Sequence, residues 1–269
     1  MATADPIIEP SEIAEADAVL VLDVRGETSF RKARLEVAVR VPIERWEAAA
    51  RDPETSLSNV AFWEKEIGRL GIDGSRLILI HDDGRMTEAA RVWFILQHFG
   101  APARVVNGGW PALKDAFARW VTSGDPGPVS RRRFMARVGA HSVRLVERED
   151  VRHSLDGAVR VLDARTAAEF VGDDLRGNLR GGHLPGAVHL AHVELLDAAG
   201  HLRPAGELRE LLLGAGLRRD DRLITHCDGG GRAALAAIAA LRSGHTDVHV
   251  YYLSFADWAK DETCPIVRT

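Results

Sequence analysis

The chain has 269 residues, of which 46% are hydrophobic and 28% charged, and its formal net charge at pH 7 is −4. This length accommodates one large domain or two modest ones, and the composition is typical of a globular protein. The negative charge gives no general attraction to nucleic acid or to an anionic membrane surface, and no apolar stretch is long enough to cross a bilayer. The N-terminus lacks a basic region followed by an apolar segment, so we expect a cytoplasmic protein that binds neither nucleic acid nor membrane.

The first predicted strand, residues 19–25, contains an Asp-x-Arg pattern that is followed by a phenylalanine. The pattern recurs in residues 159–165, at an offset of 140. The matching residues are Asp23, Arg25 and Phe30 in the first copy and Asp163, Arg165 and Phe170 in the second. The chain therefore contains an internal repeat.

A second pair of matching segments lies further along each copy. Residues 76–85 and 222–232 both read as an apolar strand, a short turn and the start of a helix, and they are about 145 residues apart. Residues 105–113 and 250–258 match at the same offset. The rise in the offset predicts a few extra residues in the second copy, and we place them in residues 172–180.

Each copy alternates strands with helical segments, a pattern that predicts βα units around a mostly parallel sheet flanked by helices. A run of helix and strand breakers at residues 123–128 separates the copies. The sequence therefore predicts an α/β protein with two tandem domains, residues 1–122 and 135–269, joined by a linker at residues 123–134. The arginines at 131–133 fall in this linker and are interpreted as a solvated hinge.

One loop of the second copy carries the residues for chemistry. Cys227 follows an apolar strand and precedes three glycines, Arg232 and a run of strong helix formers. Glycines let successive backbone N–H groups point into one concavity, and the helix N-terminus adds partial positive charge. Because such a loop stabilises an anion, we expect Cys227 to be a thiolate nucleophile at neutral pH. The other cysteine, Cys264, has no such surroundings and is interpreted as structural.

The motif Cys-x-x-Gly-x-Arg, formed by Cys227, Gly230 and Arg232, resembles the active-site loop of the rhodanese family of sulfurtransferases. The Asp-x-Arg pattern at residues 163–165 and the Gly-His-Leu-Pro-Gly-Ala run at residues 182–187 are similar to further signatures of that family. The resemblance spans nearly the whole chain. It implies two tandem rhodanese-like domains and a reaction in which the cysteine accepts a sulfane sulfur as a persulfide.

The resemblance also implies the substrates and the roles of individual residues. The donor would be a small anion, thiosulfate or 3-mercaptopyruvate, and the acceptor a nucleophile such as cyanide or a thiol. The predicted site residues are Cys227 as the catalytic nucleophile, Asp228, Gly229, Gly230, Gly231 and Arg232 as the persulfide cradle, Arg180 and Arg176 for donor binding, and Asp163 and Arg165 as supporting residues. Arg232 either contacts the bound anion or closes the loop through backbone carbonyls and an acid such as Asp163, and we favour the second role.

The first copy is predicted to be chemically silent. Asp82 stands at the cysteine position, and an aspartate cannot accept a sulfur atom. The resemblance implies that this domain packs against the second and walls one side of the active cleft, and an independent binding module is the alternative. In the second copy Asp228 follows the cysteine, where the thiosulfate enzymes have basic residues. This acid should weaken binding of a doubly charged donor, which leaves the identity of the donor open.

Two other functions remain open from the sequence. Cysteine-dependent phosphatases place five residues between the cysteine and the arginine of a similar loop, but only four separate Cys227 from Arg232. A carrier or regulatory module that holds sulfur on Cys227 for a protein partner would need the same loop as an enzyme. No cofactor is implied, and no metal either, because His183, His189 and His192 lack the spacing of zinc ligands.

Overall fold

A computed structural model describes residues 5–13, 19–139, 142–155, 157 and 159–268. The chain divides into two compact units, Met1–His141 and Ser142–Thr269, which we call the N-terminal unit and the C-terminal unit. Residues 1–4, on which part of the localisation prediction depends, lie outside the described residues. None of the helices in the described ranges is long and apolar enough to span a bilayer.

The N-terminal unit is built on a parallel sheet. Its strands are β1 (Ile7–Ile8), β2 (Val19–Asp23), β3 (Arg34–Leu35), β4 (Val39–Arg40), β5 (Leu77–His81), β6 (Ala103–Val106) and β7 (Val121–Thr122). Its helices are α1 (Glu27–Lys32), α2 (Ile43–Arg51), α3 (Val60–Arg69), α4 (Thr87–His98) and α5 (Gly109–Ala116), with 3-10 turns at Pro10–Glu12 and Ala118–Trp120. Within the described residues five strands pair in parallel in the order β1-β6-β5-β2-β4, and β3 pairs with β7 in an antiparallel ribbon.

The C-terminal unit repeats this sheet. Its strands are β8 (Val143–Val146), β9 (Arg160–Asp163), β10 (Val188–His189), β11 (Leu223–His226) and β12 (Val248–Tyr251). Its helices are α6 (Arg148–His153), α7 (Ala167–Val171), α8 (Ala205–Gly214), α9 (Gly231–Ser243) and α10 (Ser254–Trp258), with a 3-10 turn at His192–Leu195. The described strands pair in parallel in the order β8-β12-β11-β9-β10, which matches the N-terminal unit strand for strand. The predicted tandem α/β fold is confirmed.

The extra residues of the second copy lie between α7 and β10. Val39 pairs with Leu22 in the first sheet, whereas Val188 pairs with Leu162 in the second, so the offset between the copies rises from 140 to 149 across this segment. The offset returns to 145 at β5 and β11, which shows that the following helical segment is shorter in the C-terminal unit. The insertion predicted at residues 172–180 therefore falls in the loop that leads from α7 to β10.

Helix α9 brings the active-site loop against the centre of the sheet. Its buried face consists mainly of alanines, including Ala233, Ala236 and Ala240, and small side chains let a helix lie close to the strands beneath it. Because β9, β11 and β12 are parallel, their carboxyl ends meet at one edge of the sheet, where ligand sites of α/β proteins form. His226 pairs with Asp163 at this edge, so the ends of β11 and β9 lie side by side.

The segment around the predicted linker packs on the N-terminal unit. The backbone N–H of Arg132 donates to the Gly68 carbonyl at 2.9 Å, and that of Arg137 donates to the Phe99 carbonyl at 2.9 Å. The division between the two compact units follows this segment in the chain, at residues 141 and 142.

Candidate active site

Cys227 lies in a tight loop between β11 and α9, as the sequence predicts. Cys227 is buried, with only 1% of its surface exposed to solvent. The turn into the helix requires a positive φ of 96° at Gly230, and a Cβ there would lie 2.9 Å from both the ring and the carbonyl oxygen of Tyr252. This position therefore has room for glycine alone, which explains why a glycine precedes the helix.

The loop directs backbone donors at the cysteine sulfur. The N–H of Gly229 donates to Cys227 Sγ at 3.4 Å and the N–H of Gly230 at 3.1 Å. The first turn of α9, a 13-residue helix, follows directly and adds its partial positive charge. Negative charge on this sulfur is thus stabilised by donors that are already in position.

Segments from the next strand fix the backbone of the cysteine. The N–H of Cys227 donates to Ser254 Oγ at 3.1 Å, and its carbonyl accepts from the N–H of Phe255 at 3.0 Å. His226 Nδ1 lies 3.3 Å from the same carbonyl, and burial lowers the pKa of His226, which favours the neutral ring. These contacts hold the loop to the start of α10.

Arg232 forms a two-pronged ion pair with Glu169 on α7. The distances are 2.6 Å from Nη1 to Oε2 and 2.8 Å from Nη2 to Oε1. Burial alone would raise the pKa of Glu169, but the hydrogen bonds from Arg232 and Thr166 lower it to about 2. The acid that partners Arg232 is therefore Glu169, and the expectation that it is Asp163 is wrong.

Asp163 is instead committed to Arg165. The backbone N–H, Nε and Nη2 of Arg165 donate to the Asp163 carboxylate at 2.6 to 3.0 Å, and Nη2 also donates to the Gly182 carbonyl at 2.7 Å. The guanidinium lies 3.9 Å from the ring centroid of Phe255, the residue that binds the cysteine carbonyl. This buried pair braces the strand end beneath the loop, and its counterpart Asp23–Arg25 does the same in the N-terminal unit.

The two arginines predicted to bind the donor have different surroundings. Arg180 donates from Nε to the Ala259 carbonyl at 3.0 Å and from Nη1 to the Cys264 carbonyl at 2.9 Å, and its Nη2 donates to the carbonyls of Trp258 and Asp261. Its guanidinium thus binds the segment that follows α10. Arg176 is a different case, because its side chain is 56% exposed and its Nε lies 3.9 Å from Glu169 Oε1. Donor binding by either arginine stays a prediction.

The insertion between α7 and β10 also reaches the active-site loop directly. Asn178 Nδ2 donates to Asp228 Oδ1 at 2.8 Å. Asp228, the residue after the cysteine, is half-buried, and its carbonyl accepts from the N–H of Ala256 at 3.2 Å. Arg176 and Asn178 therefore contact two different acids at the site from one loop.

Asp82 occupies the equivalent loop of the N-terminal unit. The N–H groups of Gly84 and Met86 donate to its Oδ1, and those of Glu88 and Ala89 donate to its Oδ2, at 2.9 to 3.2 Å. Burial raises the pKa of Asp82, whereas four backbone donors favour the ionised carboxylate. This loop of the N-terminal unit is thus an anion cradle that its own side chain fills.

The structure brings to the site three residues for which the sequence predicts no role. Glu169, Asn178 and Ser254 contact Arg232, Asp228 and Cys227, respectively. The sequence contains a recognisable pattern for two of them, Glu169 and Ser254. Thr166 and Glu169 have the spacing of a capping box, which the structure shows at the start of α7. Ser254 replaces Gly109 in the alignment of the two copies.

The remaining predicted features concern cysteine and histidine. Cys227 and Cys264 are both free thiols, and burial raises the pKa of Cys264. His183 stacks on Phe170 with ring centroids 3.8 Å apart, and its Nδ1 lies 3.0 Å from the Phe170 carbonyl. In the part of the chain that the structure describes, no group of three or more His, Cys, Asp or Glu side chains is arranged to hold a metal ion.

The chain is thus an α/β protein with a buried cysteine at the head of a helix that follows a central parallel strand. The Rhodanese-like domain family matches residues 9–116 and 147–261, one match in each unit. The chain therefore belongs to this family, as its motifs suggest.

Curated relatives and a solved structure extend the comparison. The thiosulfate sulfurtransferase of Gallus gallus is 26% identical over 244 residues, which cover 88% of this chain and 81% of the relative. The 3-mercaptopyruvate sulfurtransferase of Escherichia coli strain K12 is 27% identical over 203 residues, covering 73% and 70%. The anaerobic ergothioneine biosynthesis enzyme of Chlorobium limicola, solved with trimethyl histidine, superposes with a TM-score of 0.85 at 19% identity, covering 98% of this chain and 70% of that one. The last likeness is one of fold.

Proposed function

We propose that this protein is a sulfurtransferase that moves a sulfane sulfur from a small anionic donor, through a persulfide on Cys227, to a nucleophilic acceptor such as cyanide or a thiol. The observation that carries the proposal is the pair of N–H groups, from Gly229 and Gly230, that donate to Cys227 Sγ at the head of α9. The named activities of the two curated relatives are consistent with it.

The reaction has two half-reactions. The Cys227 thiolate attacks the outer sulfur of thiosulfate, the sulfur–sulfur bond of the donor breaks, and its electron pair leaves with sulfite. The acceptor then attacks the outer sulfur of the persulfide, and the electron pair of the second sulfur–sulfur bond returns to Cys227 Sγ. Both steps place negative charge on sulfur in the loop, where preorganised donors lower the barrier.

The silent unit supports the idea that such a loop can hold a persulfide. A persulfide adds one atom beyond Sγ, so its outer sulfur reaches about as far from the backbone as a carboxylate oxygen of aspartate. The Asp82 carboxylate accepts four backbone N–H groups at that depth. Gly229, Gly231 and Ala233 stand at the positions of three of these donors in the C-terminal unit, and we assign their N–H groups to the outer sulfur. The N–H of Ala234, which matches Ala89, donates instead to the Gly230 carbonyl at 2.9 Å.

The charges near the loop bear on the donor. Arg232 is neutralised by Glu169, and Asp228 contributes a negative charge beside the cysteine. Arg176 is better suited than Arg180 to bind a donor anion, because its exposed guanidinium is not spent on backbone carbonyls. The negative charge of Asp228 favours a donor with one negative charge, such as 3-mercaptopyruvate, over the dianion thiosulfate. Both donors are used in the test.

The test is the intact mass of the protein after incubation with each donor. The wild-type chain should gain one sulfur atom and lose it on addition of cyanide, with formation of thiocyanate. Cys227→Ser should gain none, whereas Cys264→Ser, which removes the other buried thiol, should behave as the wild type. Failure of the wild type to gain sulfur from either donor would reject the small-molecule sulfurtransferase. Loading without turnover to cyanide or a thiol would instead indicate a carrier that serves a protein partner.

A further inference from the structure

Ser254 has an unusual backbone conformation beside the reactive cysteine. It is fully buried, and its φ is 60°, in the left-handed region that residues with a Cβ adopt rarely. Among the non-glycine residues that the structure describes, only Met86 and Arg176 share a positive φ. Strained residues of this kind cluster at functional sites, where the surrounding structure holds them.

The silent unit shows what this position requires of the backbone alone. Gly109 is the counterpart of Ser254, and its φ is 58°. The next residue in each unit, Trp110 or Phe255, donates its N–H to the carbonyl of Asp82 or Cys227, at 2.8 and 3.0 Å. The same turn therefore forms with glycine, which adopts it without strain.

The two units differ in the space beside this turn. A Cβ on Gly109 would lie 2.7 Å from the Gly84 nitrogen and 2.9 Å from the Asp82 carbonyl oxygen, so that unit excludes a side chain. In the C-terminal unit a serine side chain is accommodated. The turn beside Cys227 therefore carries a serine, Ser254, although the equivalent turn forms with Gly109 in the N-terminal unit.

The hydroxyl of Ser254 reaches the reacting atom. Its oxygen accepts from the N–H of Cys227 at 3.1 Å, donates to the Tyr251 carbonyl at 2.7 Å, and lies 3.8 Å from Cys227 Sγ. A hydroxyl hydrogen turns freely about the C–O bond, so the one donor of Ser254 can be directed either to the carbonyl or to the sulfur.

We propose that Ser254 is a catalytic residue whose hydroxyl donates to Cys227 Sγ whenever that sulfur carries negative charge, an inference that rests on the proposed sulfur transfer. In the second half-reaction the acceptor forms a bond to the outer sulfur, the sulfur–sulfur bond breaks, and its electron pair stays on Sγ. Ser254 O–H then joins the N–H groups of Gly229 and Gly230 as a third donor to the departing thiolate. It acts in the same way on the attacking thiolate of the first half-reaction.

The test compares Ser254→Gly and Ser254→Ala with the wild-type chain. The glycine variant installs the residue of the silent unit, so its thermal unfolding midpoint should equal or exceed that of the wild type. Its kcat should nevertheless fall about 10-fold or more, with the KM for the donor within about twofold, because a charge-stabilising donor is lost. The alkylation of Cys227 by iodoacetamide should also shift to higher pH, a readout that needs no sulfur donor.

Ser243→Ala is the matched control. Ser243 is another fully buried serine of the same unit, and its hydroxyl donates to the Ala240 carbonyl at 2.7 Å, as that of Ser254 does to Tyr251. This variant should keep the wild-type kcat and alkylation profile. A folded Ser254→Gly protein with either kcat or the alkylation profile unchanged would overturn the proposal. Alkylation of Cys227 does not depend on sulfur loading. If the wild type gains no sulfur, the proposed function is rejected, and the alkylation profile of Ser254→Gly still decides whether Ser254 donates to Cys227 Sγ.

Discussion

The loops that follow β5 and β11 share a fold and differ in what fills them. In the N-terminal unit the Asp82 carboxylate accepts hydrogen bonds from four backbone N–H groups. In the C-terminal unit the shorter thiol of Cys227 accepts from two, those of Gly229 and Gly230. The anion-binding loop therefore belongs to the fold of both units, and the residue at its head decides whether a carboxylate of the chain occupies it.

We expect the largest effect from removing the ion pair between Arg232 and Glu169. The corresponding residues of the N-terminal unit are Thr87 and Ser29, so the loop at Asp82 folds without such a pair. Arg232→Ala leaves a buried carboxylate without its main partner, and we expect a loss of about 3 kcal/mol in the free energy of unfolding together with a loss of sulfur transfer. Urea unfolding measures the first and thiocyanate formation the second.

The double variant Glu169→Gln, Arg232→Leu is the control for this pair. Removing both charges should recover much of the stability without restoring activity. Arg85→Ala, which removes an exposed arginine from the silent loop, should change neither quantity. Wild-type stability of Arg232→Ala would show that the pair does not hold the loop.

The same pair predicts a pH dependence that has no counterpart at Thr87 and Ser29 of the N-terminal unit. The folded pKa of Glu169, about 2, is below the ordinary value of 4.5, so the pair contributes stability above pH 4.5 that is lost as the pH falls toward 2. We expect this loss to be about 2 kcal/mol, smaller than the full shift would give, since solvent reaches part of the pair. Urea unfolding at pH 6 and at pH 3 should show a smaller difference for Glu169→Gln than for the wild type. Equal differences would contradict the assignment.

Gly230 tests how tightly the active loop is packed. Gly230→Ala places a Cβ 2.9 Å from Tyr252 at a φ of 96°, and we expect a cost of about 2 kcal/mol. Sulfur transfer should fall as well, because the N–H of Gly230 is displaced from Cys227 Sγ. The counterpart position in the silent unit already carries a side chain, Arg85, and Arg85→Ala is the neutral reference. A stable and active Gly230→Ala protein would show that the turn can relax.

Asp82 tests whether the silent loop needs its own anion. Asp82→Ala leaves four buried backbone donors without their acceptor, and we expect a loss of about 1.5 kcal/mol after the relief of a buried charge is counted. Cys227→Ala should cost less, because sulfur is a weak acceptor. Below the unfolding temperature Asp82→Ala should still gain sulfur on Cys227, whereas Cys227→Ala should not. Differential scanning calorimetry measures the loss of stability, and intact mass measures the gain of sulfur. A larger loss of stability in Cys227→Ala than in Asp82→Ala would contradict the prediction.

The smallest effect concerns donor choice. Asp228→Asn removes the negative charge beside the cysteine and keeps a side-chain oxygen for Asn178. We expect kcat/KM for thiosulfate to rise a few-fold, about 0.5 to 1 kcal/mol, and that for 3-mercaptopyruvate to rise less, because thiosulfate carries the larger negative charge. Steady-state kinetics with both donors measure the ratio. An unchanged ratio would show that Asp228 does not act on the donor.

Four features can be read from the amino-acid sequence: the repeat, the two parallel sheets, the loop at Cys227 and the replacement of cysteine by Asp82. These features follow from local patterns: apolar runs that form strands, glycines that permit a positive φ, and helix formers that begin directly after them. The insertion was also found, because two motifs of each copy stand at different offsets. Each of these signals is contained in a short stretch of chain or in the comparison of two such stretches.

Which side chains contact each other depends on the packing of segments that are distant in the sequence. Arg232 could have paired with Asp163, and the packing of α7 gave it Glu169, 63 residues away in the chain. Arg180 has the motif position of a donor-binding residue, yet its guanidinium donates to four carbonyls at the end of α10 and in the segment that follows. Ser254 reaches Cys227 only because β12 lies beside β11. Hydrogen bonds act over about 3 Å, and no local pattern fixes distances of that size between segments far apart in sequence.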